Sequence, residues 1–365
     1  MRVKPVSLPI LLFFSVIFIA LTTQADSPPS SYAQSAQLIR DSYERKLFTL
    51  SPSAESHFGL RMYRQTQDKK YLPAIWSDMA QVASQLNRFA NEVVKPEDII
   101  LYSSQRLAHY QSKDSERSQL RYTVSKHHPE YLYLGVELLS AMARADEYGL
   151  KHINDDVLRE IIRRYDFTHY VTDKEMIEAW AAQLANQVYW LRQLGEQDLV
   201  DDFTSAFKTT YPDDNDKRLS TKQYWNKIYG LTHIIFADSQ YYQRQVSEEE
   251  HQWIYDYLRQ NIDNILRRCK EDVIAEVGIA FLLAGLNHDP VVEKTRHAIR
   301  AAIDSEQGMI PSTDRKFDLN SGEHRNILAI MLLDWRGVNK GPDYQTLEKS
   351  FQSIPYGLVP KKPES

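Results

Sequence analysis

The feature that most constrains the fold is an alternation between two kinds of helical segment. "DVIAEVGIAFLLAGL", Asp272 to Leu286, is apolar on every side except at Asp272 and Glu276. The segment before it, "EEEHQWIYDYLRQNIDNILRRC", instead keeps Trp253, Ile254, Tyr257, Leu258, Ile262, Ile265 and Leu266 on one stripe. Glu248, Glu249 and Glu250 stand at its start and Arg267, Arg268 and Lys270 at its end, the charge order that suits a helix dipole. "VVEKTRHAIRAAI" is amphipathic again, and "GEHRNILAIMLLDW" is nearly all apolar. A helix with no polar face must lie buried among other helices, whereas an amphipathic one covers them from outside.

The alternation repeats. "EVGIAFLLAG" from Glu276 aligns with "HRNILAIMLL" from His324, and stepping back reaches His233, Asn186 and then Glu137 in "HHPEYLYLGVELLSAMARA". The steps are about 43 to 49 residues, close to the helix-pair lengths of helical arrays. "ESHFGLRMYRQTQDKKYL", around His57, reads as a further member. Six inner helices are predicted, near residues 54–66, 129–147, 176–194, 229–242, 271–285 and 322–335, with amphipathic helices between them at 71–94, 248–268 and 289–304. No alternating run reaches strand length, and glycine and proline are sparse. The spacing is irregular and loops such as "TTYPDDNDKRLSTKQYW" vary, which fits a closed ring better than an open solenoid. The expected fold is all-α, an α/α toroid of about six helical hairpins with no significant β-sheet.

The N-terminus reads as a separate unit. Arg2 and Lys4 precede an apolar run from Leu8 to Leu21, and a stretch with small residues ends at Ala25. This is the three-part layout of a secretory signal peptide, shorter than the roughly 20 residues of a spanning helix. Residues 1–25 are therefore expected to be removed, leaving one helical domain over 26–365 in the periplasm or secreted, with no membrane attachment after cleavage. Loss of Arg2 and Lys4 takes the formal charge from −5 to −7. An acidic chain without a basic run has no electrostatic footprint for nucleic acid or anionic lipid. Cys269 is the sole cysteine, which excludes an intrachain disulfide. It stands beside Arg267, Arg268 and Lys270, which could favour a thiolate, but it reads first as an incidental small residue at a helix end.

The helical alternation resembles the α/α-toroid class, which includes polysaccharide lyases, glycosidases, terpene cyclases and lanthionine cyclases. "HFGLRMYRQT", "YGLTHIIFADS" and "GEHRNILAIMLLDWRG" resemble a secreted bacterial helical family classed as domain of unknown function 3541. That likeness implies a helical fold and export, and no activity. The paired Cys and His zinc ligands of lanthionine cyclases are missing. The "DD" pairs at Asp155, Asp201 and Asp213 fall outside the inner helices, unlike the aspartate-rich motif of terpene cyclases. No cofactor and no metal ligand set is expected, and no P-loop, nucleophile-elbow or metalloprotease motif is present.

Polar residues at equivalent positions of several inner helices would converge on the mouth of a central cavity. Each would cost about 1–3 kcal/mol if buried unpaired, so they either bond one another in a ring that fixes the helix packing or line a wet site. His233, Tyr229, Asn186, His324 and Glu276 are the candidate catalytic residues. His57, Arg325, Glu137, His128 and Asp238 are candidate substrate-binding residues. Tyr229 and His233, four apart, share a helix face and could exchange protons with a sugar ring. Asn186, His324 or Arg325 could neutralise a uronate carboxylate during β-elimination, as in toroid-type lyases that the pattern resembles. Hydrolysis would need two carboxylates, for which Glu276, Glu323, Asp238 and Asp272 are available; Glu323 also suits a helix-start carboxylate. Three readings follow: a lyase-like carbohydrate-active enzyme acting on a poly- or oligosaccharide, a non-catalytic glycan- or peptide-binding toroid, and a cell-envelope interaction protein.

Overall fold

A computed structural model describes residues 31–347, 351 and 353–361; the proposed signal peptide lies outside them. In chain order the first helices are α1 (Tyr32–Glu44), α2 (Pro52–Thr66), α3 (Leu72–Glu92), α4 (Pro96–Gln111) and α5 (Glu116–Ser125). A π-helical stretch, Leu132–Leu138, runs straight into α6 (Leu139–Glu147). Then come α7 (Asp155–Arg163), α8 (Thr168–Thr172), α9 (Lys174–Gln193), α10 (Val200–Thr210) and α11 (Thr221–Asp238). The last are α12 (Gln252–Arg268), α13 (Glu271–Leu283), α14 (Pro290–Ala301), α15 (Leu319–Leu333) and the short α16 (Tyr344–Leu347). Strand β1 (Leu150–His152) pairs antiparallel with β2 (Leu358–Pro360), Lys151 opposite Val359, and ties the C-terminal tail to the end of α6. Among the described residues no helix is long and apolar enough to cross a membrane.

The segments expected to be apolar on all sides are the buried ones. Every residue of α13 from Asp272 to Leu283 is buried, as is every residue of α15 from Asn326 to Leu333. In α12 only the stripe of Ile254, Tyr255, Tyr257, Leu258, Ile262 and Ile265 is. Neighbour packing runs from α9 to α11, α13, α15 and back to α2, the earliest of the buried helices. From α2 it continues through α3 to α6 and on to α9, so the succession of contacts returns to its start. α1, α10, α12 and α14 pack outside this circuit.

Two departures from the sequence reading bear on the interior. The amphipathic α3 stands between α2 and α6 and packs on both, so it contributes wall as well as cover. The inner helix expected over 229–242 begins earlier, at Thr221, where Ser220 and Gln223 form a capping box. It ends at Asp238, and Gln240, Tyr241 and Tyr242 then adopt positive φ of 51°, 53° and 75°. Left-handed conformation costs about 1–2 kcal/mol per non-glycine residue. Surrounding bonds hold this turn: Tyr242 N–H donates to Ser239 Oγ (3.0 Å), and Arg64 donates to the Tyr241 carbonyl (3.1 Å).

Side-chain caps fix the helix starts nearest the site. Ser51 caps α2, Asp173 caps α9 and Asp318 caps α15, each accepting a backbone N–H of the first turn. Such caps contribute about 1 kcal/mol each. Asp318 therefore does the work that the sequence reading offered to Glu323.

Candidate active site

The polar interruptions of five buried helices meet. Glu276 of α13 is 1% exposed, its Oε2 accepting from Thr232 Oγ at 2.7 Å. Its other oxygen faces two imidazoles, His233 Nε2 of α11 at 3.7 Å and His324 Nε2 of α15 at 4.0 Å. His233 Nδ1 lies 3.1 Å from Asn186 Oδ1 of α9. An amide oxygen only accepts, so Nδ1 donates to Asn186 and Nε2 is the nitrogen turned toward Glu276. Neither imidazole is within hydrogen-bond distance of the carboxylate, so both approach it without a direct bond.

A second arm of the cluster joins α2 and α15. His57 Nδ1 lies 2.7 Å from Glu323 Oε2, and the His57 and His324 rings are 5.7 Å apart. Burial and the Arg61 guanidinium one turn along α2 outweigh the Glu323 carboxylate and lower the His57 pKa to about 4, so its imidazole is neutral. Asp272, one turn before Glu276, accepts from the Tyr229 hydroxyl at 2.5 Å and pairs with Lys270 at 3.0 Å. Burial opposes its ionisation, but His324, Lys270 and the Tyr229 hydroxyl together hold its carboxyl below the usual range. Burial, then the Asp272 and Glu276 charges, push the Tyr229 phenol well above its ordinary pKa. The Tyr229 and His233 rings are 6.2 Å apart, but the Tyr229 proton is already committed to Asp272. Its chemistry is that of a fixed hydrogen-bond donor.

His57, Asn186, Tyr229, His233, Glu276 and His324 thus share one contiguous network. The other sequence candidates lie elsewhere. Glu137, in the π-helical stretch, is engaged by Gln85 (2.6 Å) and by Arg106. Arg325, next to His324, turns the other way and donates to the Ile310 carbonyl at 3.3 Å. Asp238 forms a buried pair with His251 (2.8 Å) and also binds Arg244. His128 packs on His169 and Tyr170 near the start of α9. Burial raises the Cys269 thiol to about 12, which removes the thiolate suggested by its basic neighbours.

Among the described residues two groups bring possible metal donors within 4.8 Å of one another: His128, Glu130 and His169, and Asp238, Glu250 and His251. Two imidazoles and one carboxylate form a donor set that zinc accepts. In the second group Asp238 is already bonded to His251 and to the Arg244 guanidinium.

Three participants were not singled out from the sequence. Thr232 fixes Glu276. The Tyr241 hydroxyl, carried by the left-handed turn, stands 3.5 Å from His233 Nδ1. Arg61 follows His57 by one turn and is 7% exposed. The argument that marked Glu276, a charge inside an apolar helix, would have marked Arg61 as well; no glycine announces the turn that carries Tyr241.

No curated protein and no solved structure matches the chain. The model of one family matches residues 32–361, nearly all of what the structure describes. The chain belongs to that family, a domain of unknown function (DUF3541).

Proposed function

We propose that this protein is an exported carbohydrate-active enzyme whose helices form an α/α toroid, and that it cleaves an acidic polysaccharide by β-elimination at the His233–Glu276 centre. The toroid reading is supported by the circuit of helix contacts from α2 through α9 and α15 back to α2. Export is supported by the layout of residues 1–25. The observation that carries the chemistry is the placement of His233, anchored through Nδ1 to Asn186 with its Nε2 turned to a buried carboxylate at 3.7 Å.

In the proposed step, His233 Nε2 takes the proton from the sugar carbon adjacent to the carboxylate group. The imidazolium so formed is stabilised by Glu276 on one side and oriented by Asn186 on the other. The carbon–oxygen bond to the leaving sugar breaks, the electron pair forms the ring double bond, and the leaving oxygen takes a proton. His324, between Asp272 and Glu276 and 43% exposed at its side chain, is the donor. Tyr229 serves instead to hold Asp272, because a phenol with a raised pKa and an engaged proton is a poor acid.

Asp272, Glu276 and Glu323 in one cluster favour a second reading, hydrolysis by a carboxylate pair. Product analysis separates the two. Incubation with a panel of uronate polymers should give new chain ends that absorb in the ultraviolet, as unsaturated rings do. New reducing ends without that absorbance would replace elimination by hydrolysis, and no cleavage of any polymer would leave the protein without the proposed activity.

A further inference from the structure

One turn along the helices from the cluster lies a cavity of about 340 Å³, lined among others by Arg61, Asp78, Arg144, Glu147, Trp190 and Tyr241. The spacing sets it beside the cluster. Residues four apart on a helix share a face, and Arg61 follows His57 on α2 as Trp190 follows Asn186 on α9. Tyr241 links the two, since it lines the cavity and its hydroxyl is 3.5 Å from His233 Nδ1. The volume falls in the range of small-ligand sites.

Its lining sets two guanidinium groups, Arg61 and Arg144, against two carboxylates, Asp78 and Glu147, but the pairing is uneven. Glu147 is paired with Arg64 (2.8 Å) and Arg144 (2.7 Å). Asp78 lies 3.7 Å from Arg144 and accepts from the Tyr148 hydroxyl. Arg61 is left over: among the described residues no carboxylate is within ion-pair distance of it, and its Nε has no hydrogen-bond partner. Its guanidinium lies 5.9 Å from the centre of the Tyr242 ring. Arg64, which is outside the lining, and Arg144 both draw on Glu147, so the guanidinium left without an ion pair is that of Arg61. Arg61 has the Tyr242 side chain as a hydrogen-bond partner but no counter-ion. A buried charge without one is unfavourable, and a planar guanidinium offers a carboxylate two parallel hydrogen bonds.

We infer that Arg61 receives the carboxylate of a uronic acid ring, with the half-buried Trp190 available to stack on the sugar face. This assignment rests on the saccharide reading above and names its substrate class: a polymer of carboxylated sugars, with one acidic ring held beside the His233 centre. Arg61 is a substrate-binding residue in this account.

The test is calorimetric binding of tetrameric galacturonate, glucuronate, mannuronate and guluronate to the mature protein carrying His233→Ala to prevent turnover, each compared with its methyl ester. At least one free acid should bind tenfold or more tightly than its ester. In the same background Arg61→Gln should bring acid and ester to equal affinity, Arg61→Lys should restore part of the difference, and Trp190→Ala should weaken both forms alike. Because the acid–ester comparison needs no change at Arg61, it decides the matter even if Arg61→Gln fails to fold. Equal binding of acid and ester, or discrimination that survives Arg61→Gln, would overturn the subsite while leaving a saccharide ligand in place. Absence of binding by every acid and ester would overturn the saccharide reading and the subsite together.

Discussion

At the scale of single residues, the account turns on which groups hold protons. Glu276→Gln keeps the shape and the bond from Thr232 but removes the charge that stabilises the His233 imidazolium, so kcat on a cleaved polymer should fall by roughly 10²–10⁴-fold. Tyr229→Phe should cost far less, because that hydroxyl only holds Asp272; a loss equal to that of Glu276→Gln would make Tyr229 the acid. His57 supplies a pH prediction. Its folded pKa of about 4 lies below the 6.5 of a free imidazole. The unfolded chain therefore binds the proton more readily, and stability is fully present above about pH 6.5 and declines as pH falls toward 4. Denaturation midpoints across that window should drop in the native chain and drop less in His57→Gln. Since Arg61 is one cause of the low value, Arg61→Gln should move the His57 titration upward by NMR; an unmoved titration would show that the two side chains do not sense each other.

Among the helices, close approach and strain shape the interior. Gly278 lets α13 press against α14 and α15: a Cβ there would come within 2.4 Å of Thr295 Oγ and 2.5 Å of Leu332 Cδ1. Gly278→Val should therefore destabilise the fold by about 1–3 kcal/mol or more through overpacking, read from the denaturation midpoint. The buried helices were legible in the sequence because a segment apolar on every side has only one place to go. The role of α3 was not. Its amphipathic pattern says that one face is covered but not that the cover is α2 on one side and α6 on the other, nor that Asp78 would reach a cavity. The turn over Gln240–Tyr242 was also illegible, since it is imposed by tertiary bonds from Arg64 and Ser239 against the preference of its residues. Gln240→Gly should relieve part of that strain and stabilise the protein by about 0.5–1 kcal/mol.

Over the whole molecule, buried helices whose contacts form a returning circuit bring together side chains that are distant in sequence. His57 and Glu323 are 266 residues apart and share a hydrogen bond. Repeat spacing could anticipate the level of such residues along each helix, which is why Asn186, His233, Glu276 and His324 fell on one list. It could not give their azimuth, so Glu137, also on that alignment, is engaged by Arg106 and Gln85 outside the cluster. Arg325 shows the same limit, one position and a large rotation away from His324. The most direct measurement of the central claim, that these side chains form one proton-transfer centre on an acidic saccharide, is the rate at which purified His233→Ala cleaves the uronate polymer that the native protein cleaves. With native thermal stability retained, that rate should be at least 10²-fold lower. A variant that cuts as fast as the native chain would place the chemistry elsewhere.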